Sequence, residues 1–366
     1  MKLPGGAGGQ ASAGGVTLTA EQRLAWLRLT RSENVGPATF RVLINTYGSA
    51  QAALDAIPDL SRRGGASRGI RVASLAEAET EMEAATRIGA RFIGIGEPLY
   101  PPWLRQGDAP PPLIAVRGSP KHLTSPAIAI VGARNASVAG RKMAAILAKG
   151  VGDADFVVVS GLARGIDAAA HEAALSNGTI AVFAGGIDFV YPPENAELFE
   201  RILQAEGCAI SEMRLGWEPR ARDFPRRNRI IAGMALATIV VEAAERSGSL
   251  ITARLALEQN REVLAVPGSP LDPRAAGSNN LLKQGARIVT EARDVIEAVA
   301  PMLEREPPLR AKPLPDAGHD RTAAGTRGGR PRPNHRSARA DARSDRRDYP
   351  LHRPPDAGGP RHPIGA

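Results

Sequence analysis

Ser160-Gly161-Leu162-Ala163-Arg164-Gly165-Ile166-Asp167 directly follows the apolar run Phe156-Val157-Val158-Val159. A short apolar run of this kind reads as a buried parallel strand. Gly161 and Gly165 allow the chain to turn sharply and to pass close to a ligand. Asp167 is placed to cap the helix that starts there, and a helix N-terminus offers free N–H groups to an anion. Arg164 adds a positive charge inside the loop, so the chemistry of the segment is phosphate binding. A second concentration is Phe224-Pro225-Arg226-Arg227-Asn228-Arg229, which leads into Ile230-Ile231. Cations are unfavourable at a helix N-terminus. Arg226, Arg227 and Arg229 are therefore easier to explain if an anion sits between them. Phe224 beside them is a candidate either for stacking on a base or for the core.

Three further loops carry the same chemistry. Arg134, in Val131-Gly132-Ala133-Arg134-Asn135, stands at the mouth of the helix after another apolar run. Glu245-Arg246-Ser247-Gly248-Ser249 opens a helix after Val241-Glu242-Ala243-Ala244, and Ser247, Gly248 and Ser249 make a second anion cradle. In Gly277-Ser278-Asn279-Asn280, followed by Lys283, a simple turn and an anion contact through Asn279 and Lys283 explain the residues equally.

Other chemistries fit less well. The loop at Gly132 lacks the spacing and the acidic ribose clamp of a dinucleotide fingerprint, which argues against NAD. Ser160, Asp167 and His171 suggest hydrolysis, but the nucleophile-elbow pattern is absent, and local hydrogen bonding is the plainer role. No catalytic residue is assigned. Cys208 is the single cysteine, and only His122 and His171 lie outside the C-terminal segment, so neither a disulfide nor a metal site is expected.

The elements that position these loops follow from the pattern around them. Apolar runs at 127–132, 156–160, 179–184, 208–212, 237–242, 262–266 and 286–290 read as strands. Helical stretches fall near 138–151, 166–176, 194–205, 226–235, 248–259 and 277–284. This alternation predicts a doubly wound α/β domain with a mostly parallel sheet, which binds ligands outside the carboxyl ends of its strands. Residues 76–120 add a helix and two strands, at 91–95 and 113–117, and extend that domain to 76–304. Residues 16–75 read as a small helical domain and linker, of helix-hairpin-helix or sterile-alpha-motif type or a plain interaction module. Residues 1–15 are Gly-rich and read as disordered.

The formal charge of the 366-residue chain is +9. Residues 305–366 hold 14 Lys and Arg against 7 Asp and Glu, so +7 belongs to this segment and +2 to the rest. With 11 prolines and no apolar periodicity, the segment reads as a disordered tail. A nucleic-acid argument for the folded part therefore rests on where its arginines sit. No run reaches the roughly 18 apolar residues of a membrane helix, and the N-terminus lacks a secretory h-region. A cytoplasmic protein is expected.

Taken in order, these loops resemble the DNA-processing protein A family (DprA, also called Smf). The likeness runs from Val131-Gly132-Ala133-Arg134 through Ser160–Asp167 with His171, Gly185-Gly186, Tyr191-Pro192 and Ser211-Glu212. It continues through Phe224–Ile231, Glu242-Ala243, Ser247–Ala253, Arg261-Glu262-Val263 and Pro267-Gly268 to Gly277 and Gly285-Ala286. It is strong over 124–291 and loose over 20–120. The resemblance implies an extended Rossmann-like fold that works without a cofactor. It implies a non-enzymatic protein that binds single-stranded DNA, protects incoming strands during natural transformation and helps load the RecA recombinase. It places the DNA pocket at Arg134 and at Arg226, Arg227 and Arg229, and it implies a homodimer formed late in the domain, where Leu281 and Leu282 adjoin. Many family members end in a winged helix, a pattern that 305–366 lacks. The alternative is a nucleotide phosphoribohydrolase of the lysine-decarboxylase-like Rossmann family. Its Pro-Gly-Gly loop is missing at Ser247–Thr252.

Overall fold

Four- and five-residue apolar strands, buried along their whole length, form the middle of a nine-stranded sheet in the computed structural model, which describes residues 17–63, 70–107 and 109–304. The expected disordered segments, 1–15 and 305–366, lie outside the described residues. The described residues begin with three helices, α1 (Ala20–Arg31), α2 (Pro37–Tyr47) and α3 (Ala50–Arg63), followed by α4 (Leu75–Arg87). Then come β1 (Ala90–Gly94), the short α5 (Pro102–Arg105) and β2 (Leu113–Gly118). The alternating part follows as β3 (Ala127–Val131), α6 (Val138–Gly152), β4 (Val157–Ser160), α7 (Ile166–Ala173), β5 (Thr179–Val182), α8 (Ala196–Gln204) and β6 (Cys208–Ser211). It closes with α9 (Asp223–Met234), β7 (Ala237–Val240), α10 (Gly248–Glu258), β8 (Glu262–Ala265), α11 (Ala276–Lys283), β9 (Arg287–Ile288) and α12 (Ala292–Leu303).

The strand order is β1-β2-β6-β5-β4-β3-β7-β8-β9. β2 runs antiparallel to both of its neighbours, and every other pairing is parallel. The chain winds outward from β3 through β4, β5 and β6, then returns to lay β7 on the free side of β3. This reversal makes a topological switch point at the carboxyl end of β3. Strand residues alternate between two cores. Ile128, Ile130, Val158 and Ile239 pack under α6, α7 and α12, whereas Ala129, Val131, Val157 and Val159 pack under α9 and α10.

The N-terminal helices do not keep a core of their own. Trp26 and Phe40 meet edge to face, with centroids 5.0 Å apart. Their cluster continues without a break through Phe92, Leu113, Phe183 and Phe199 of the sheet layer. Each large side chain fully buried in this way contributes about 1.5–3 kcal/mol. Local signals start the helices, with capping boxes at Thr19/Gln22 for α1 and Ser74/Glu77 for α4. Among the described residues, no helix is long and apolar enough to cross a membrane.

Candidate nucleic-acid interface

The loops that leave β3, β4 and β7 surround a cleft of about 860 Å³ at the switch point. Arg134, Arg227, Arg246 and Arg274 line it; Arg227 is buried and the other three are exposed. Arg274 is paired with Asp272 at 2.9 Å. Neither Arg134 nor Arg246 is ion-paired to a described carboxylate. The Arg134 guanidinium lies 5.1 Å from the centroid of the Phe224 ring, and Tyr191 lies on Phe224 at 5.4 Å. Phe224 is half-buried and Tyr191 is 44 % exposed, so this aromatic pair forms part of the cleft wall. Phe224 thus lies at the cleft surface and not within the core.

The helix N-termini at this edge are not equivalent. At α7 the N-cap is Gly165, without a side-chain cap, and Asp167 instead reaches back into the preceding loop. Its Oδ2 accepts hydrogen bonds from the N–H of Gly161 at 3.1 Å and of Ala163 at 3.4 Å. The Ile166 N–H donates to the Ala133 carbonyl at 3.2 Å. The expectation that Asp167 caps α7 is thus corrected, and the N–H groups of Gly161, Ala163 and Ile166 are satisfied from within the chain. At α6 the Glu242 carboxylate accepts from the Ser137 N–H at 2.9 Å and from the Ser137 hydroxyl. At α9 the first helical residue is itself an acid, Asp223, which accepts from Trp217 Nε1 and from the Arg220 N–H, both at 2.9 Å.

At α10 the arrangement is different. Its cap is the neutral Ser247 hydroxyl, which accepts from the Ser249 N–H at 3.3 Å and lies 2.7 Å from the Ser249 hydroxyl. Gly248 is exposed, and a Cβ there would meet no atom within 4 Å. Of these four N-termini, α10 alone opens into the cleft without a carboxylate in place. This is where the helix dipole and the free N–H groups favour a ligand anion.

The glycines of the β4–α7 loop are required by the protein rather than by a ligand. A Cβ on Gly161 would lie 2.2 Å from Arg227 Nη1. Gly165 has φ +78°, and its Cβ would lie 2.3 Å from the Ala133 carbonyl oxygen.

The arginine cluster is resolved into separate roles. Helix α9 starts at Asp223, three residues before Arg226, so the three arginines stand beyond its first turn and the dipole argument does not reach them. Arg227 is 6 % exposed and donates from Nη1 to the carbonyls of Gly161, at 2.7 Å, and Val182. Burial pushes its pKa down to about 10, partly offset by the nearby Asp167. Burial also raises the Asp167 carboxyl above its ordinary range, against the pull of Arg227 and the two loop N–H groups. Arg226 and Arg229 do find an anion, and it is Glu212. Arg226 Nε lies 2.9 Å from Oε1, Arg229 Nη2 contacts Oε2, and the Glu212 side chain is 6 % exposed.

The remaining candidates lie away from the cleft or are tied down. Arg164 is exposed, borders the side pocket below Tyr191, and lies 3.8 Å from Glu194. The Asn279 amide bonds both backbone groups of Gly268, at 3.0 and 3.1 Å, and Lys283 is exposed outside the cleft lining. The Ser160 hydroxyl donates to the Ile130 carbonyl at 2.6 Å, and His171 Nδ1 lies 2.7 Å from the Thr179 hydroxyl. Burial, with a smaller effect from Arg227, pushes the His171 pKa down to about 3, so the imidazole is neutral. Ser160, Asp167 and His171 are thus each hydrogen-bonded into the scaffold. Arg246, Arg274 and Tyr191 line the cleft as well and are not among the site residues that the sequence pattern singles out. The strand-edge rule would have found the first two, because both follow the carboxyl ends of strands.

Residues 91–300 match the family model for DNA recombination-mediator protein A. The chain belongs to this family. Residues 20–84 match a second model, the DprA-like N-terminal HHH domain. The DNA-processing protein A chain of Streptococcus pneumoniae, solved by X-ray, superposes with a TM-score of 0.62 at 33% identity, over 77% of this chain and 98% of that one. A Helicobacter pylori DNA processing protein A structure, described for its single-stranded DNA binding mode, gives 0.53 at 27% identity, over 60% and 98%. Among curated relatives, DprA of Bacillus subtilis is 41% identical over 212 residues, 57% of this chain and 71% of that protein. Protein Smf of Escherichia coli is 44% identical over 200 residues, 54% of each. The chain spans about half the length of Smf from Escherichia coli and from Synechocystis.

Proposed function

We propose that this member of the family binds single-stranded DNA across the switch-point cleft. The observation that carries the reading is the meeting of the open α10 N-terminus with Arg134, Arg246 and Arg274 beside the Phe224–Tyr191 aromatic pair. Phosphates suit the arginines and the helix end, and an unpaired base suits the aromatic faces. A duplex keeps its bases stacked inside and offers only its backbone to such a site. Phosphate contacts position a strand without reading its sequence, so affinity is largely sequence-independent. The single-strand binding described for the Helicobacter pylori relative supports the reading. Labelled single strands and duplexes, titrated across a salt series, test it. Tighter binding of single strands at every salt concentration is expected, and equal affinity for both forms would overturn it. Appearance of free base from nucleoside monophosphates would instead favour the hydrolase.

On this reading the protein works in the cytoplasm on incoming strands, protects them and helps RecA assemble on them. A nuclease-protection assay and RecA filament growth on protein-coated strands check both steps, and no gain over bare strands would refute them. A homodimer through the α11 region completes the proposal. Leu281 and Leu282 are both half-buried, and Leu281 packs on the core under α9 and α10. Leu282→Arg is expected to halve the molar mass measured by light scattering while the protein stays folded. A wild type that is already monomeric at tens of micromolar removes the interface.

A further inference from the structure

The segment between β6 and α9, residues 212–222, carries Pro219 and Ala221 into the cleft wall and delivers Phe224 to it. Its far end is gripped by the N-terminal helices. Arg31, in the last turn of α1, donates from Nη1 to the Glu212 carbonyl at 3.1 Å and from Nη2 to the Met213 carbonyl at 3.3 Å. The same guanidinium lies on the Glu81 carboxylate of α4 at 2.9–3.2 Å. Glu81 Oε1 in turn accepts the Leu215 N–H at 3.2 Å. The Arg31 and Glu81 side chains are 19% and 11% exposed, so solvent screens the pair little. The Leu215 side chain packs on the core shared by the N-terminal helices and the sheet. Beyond this grip the chain turns at Gly216, whose N–H is held by Asp188, and the Trp217 carbonyl accepts from the Gly186 N–H at 2.9 Å.

We infer that Arg31 and Glu81 form a brace by which the N-terminal helices position the cleft wall for the strand, with Arg31 as a positioning residue that makes no contact with DNA. The inference rests on the strand-binding reading above. The guanidinium fork suits the task because it serves two carbonyls and a carboxylate at once, which a lysine ammonium on a flexible stem cannot reproduce in the same plane. Without the brace, 212–222 keeps its ties at Asp188 and Asp223 and the Glu212 pairing with Arg226 and Arg229, but the Glu212 and Met213 carbonyls and the Leu215 N–H lose their partners on the N-terminal helices, and the competent wall is populated for less of the time.

The test uses the full chain with Arg31→Gln, Arg31→Lys and Glu81→Gln. Each is expected to bind single strands about tenfold more weakly, the rise in apparent Kd when the competent wall is populated roughly a tenth of the time. The slope of log affinity against log salt should not change, because no phosphate contact is lost. Acrylamide quenching of Trp217 should rise, with the emission of Trp26 and Trp103 subtracted using Trp217→Phe versions of the same proteins. Arg31→Lys keeps the charge, so it remains readable if the glutamine variants fail to fold. Wild-type affinity and quenching in the folded variants overturn the brace. A loss of affinity with a slope smaller by about 0.7 overturns it too, since Arg31 would then touch a phosphate. If the wild type binds no strand, the functional reading fails, and Trp217 quenching still decides whether the brace exists.

Discussion

Arg227→Ala is expected to destabilise the protein by about 3–5 kcal/mol, the range for removing one partner of a buried charge pair. The guanidinium is almost wholly enclosed, holds the Gly161 and Val182 carbonyls and stands near the buried Asp167. Its loss leaves two carbonyls without a donor and a carboxylate without its neighbouring cation. Urea unfolding measures the effect as a lower midpoint at constant slope. Asp167→Asn in the Arg227→Ala background should cost less than it does alone, because the cation that opposes the Asp167 carboxylate has already gone. A variant with the wild-type midpoint and weakened DNA binding would instead return Arg227 to the ligand site.

The opposite outcome is expected for Arg134, Arg246 and Arg274. Changed together to Ala, they should leave the urea midpoint nearly unchanged, since exposed substitutions usually stay within about 0.5 kcal/mol. The salt slope for single-strand binding should fall by about 2, at roughly 0.7 for each lost phosphate contact. Fluorescence anisotropy at four or five salt concentrations measures it. Arg226→Ala with Arg229→Ala is the internal contrast. It strands the enclosed Glu212 carboxylate, so it should lower stability and leave the salt slope alone. If the contrast pair lowers the slope and the cleft trio does not, the site has been drawn on the wrong side of α9.

The sheet was legible because parallel strands buried on both faces leave unbroken apolar runs. The run at 156–160 becomes β4 at Val157–Ser160, and that at 237–242 becomes β7 at Ala237–Val240. The start of α9 was displaced because Phe224-Pro225 looks like a loop. Proline in fact suits the first turn of a helix, where its missing N–H is not needed. The partners of the arginines were not legible. Glu212 precedes Arg226 by 14 positions, and only the return of the chain from β6 to α9 brings them together. Positive charge near a predicted helix start points to the edge of the sheet where the cleft lies. It does not separate Arg134, which is exposed in the cleft, from Arg227, which reaches the cleft lining but is buried and holds two backbone carbonyls.

Glu242 has a consequence for selection among the cell's anions. Its carboxylate sits at the N-terminus of α6, the seat that a dinucleotide's pyrophosphate occupies in cofactor-binding relatives of this fold. A Cβ at Gly140 would collide with it, at 2.5 Å, so the helix is shaped around the acid. Small nucleotides such as ATP or NAD are therefore repelled from the seat where they would gain most, and are left with scattered arginines and one short open helix end. A polymer avoids this handicap. Each phosphate that docks holds the next close by at high effective concentration, and many weak contacts sum along one strand. On the strand-binding reading proposed above, one internal acid thus biases the scaffold toward chain length as the property it senses and away from small nucleotides.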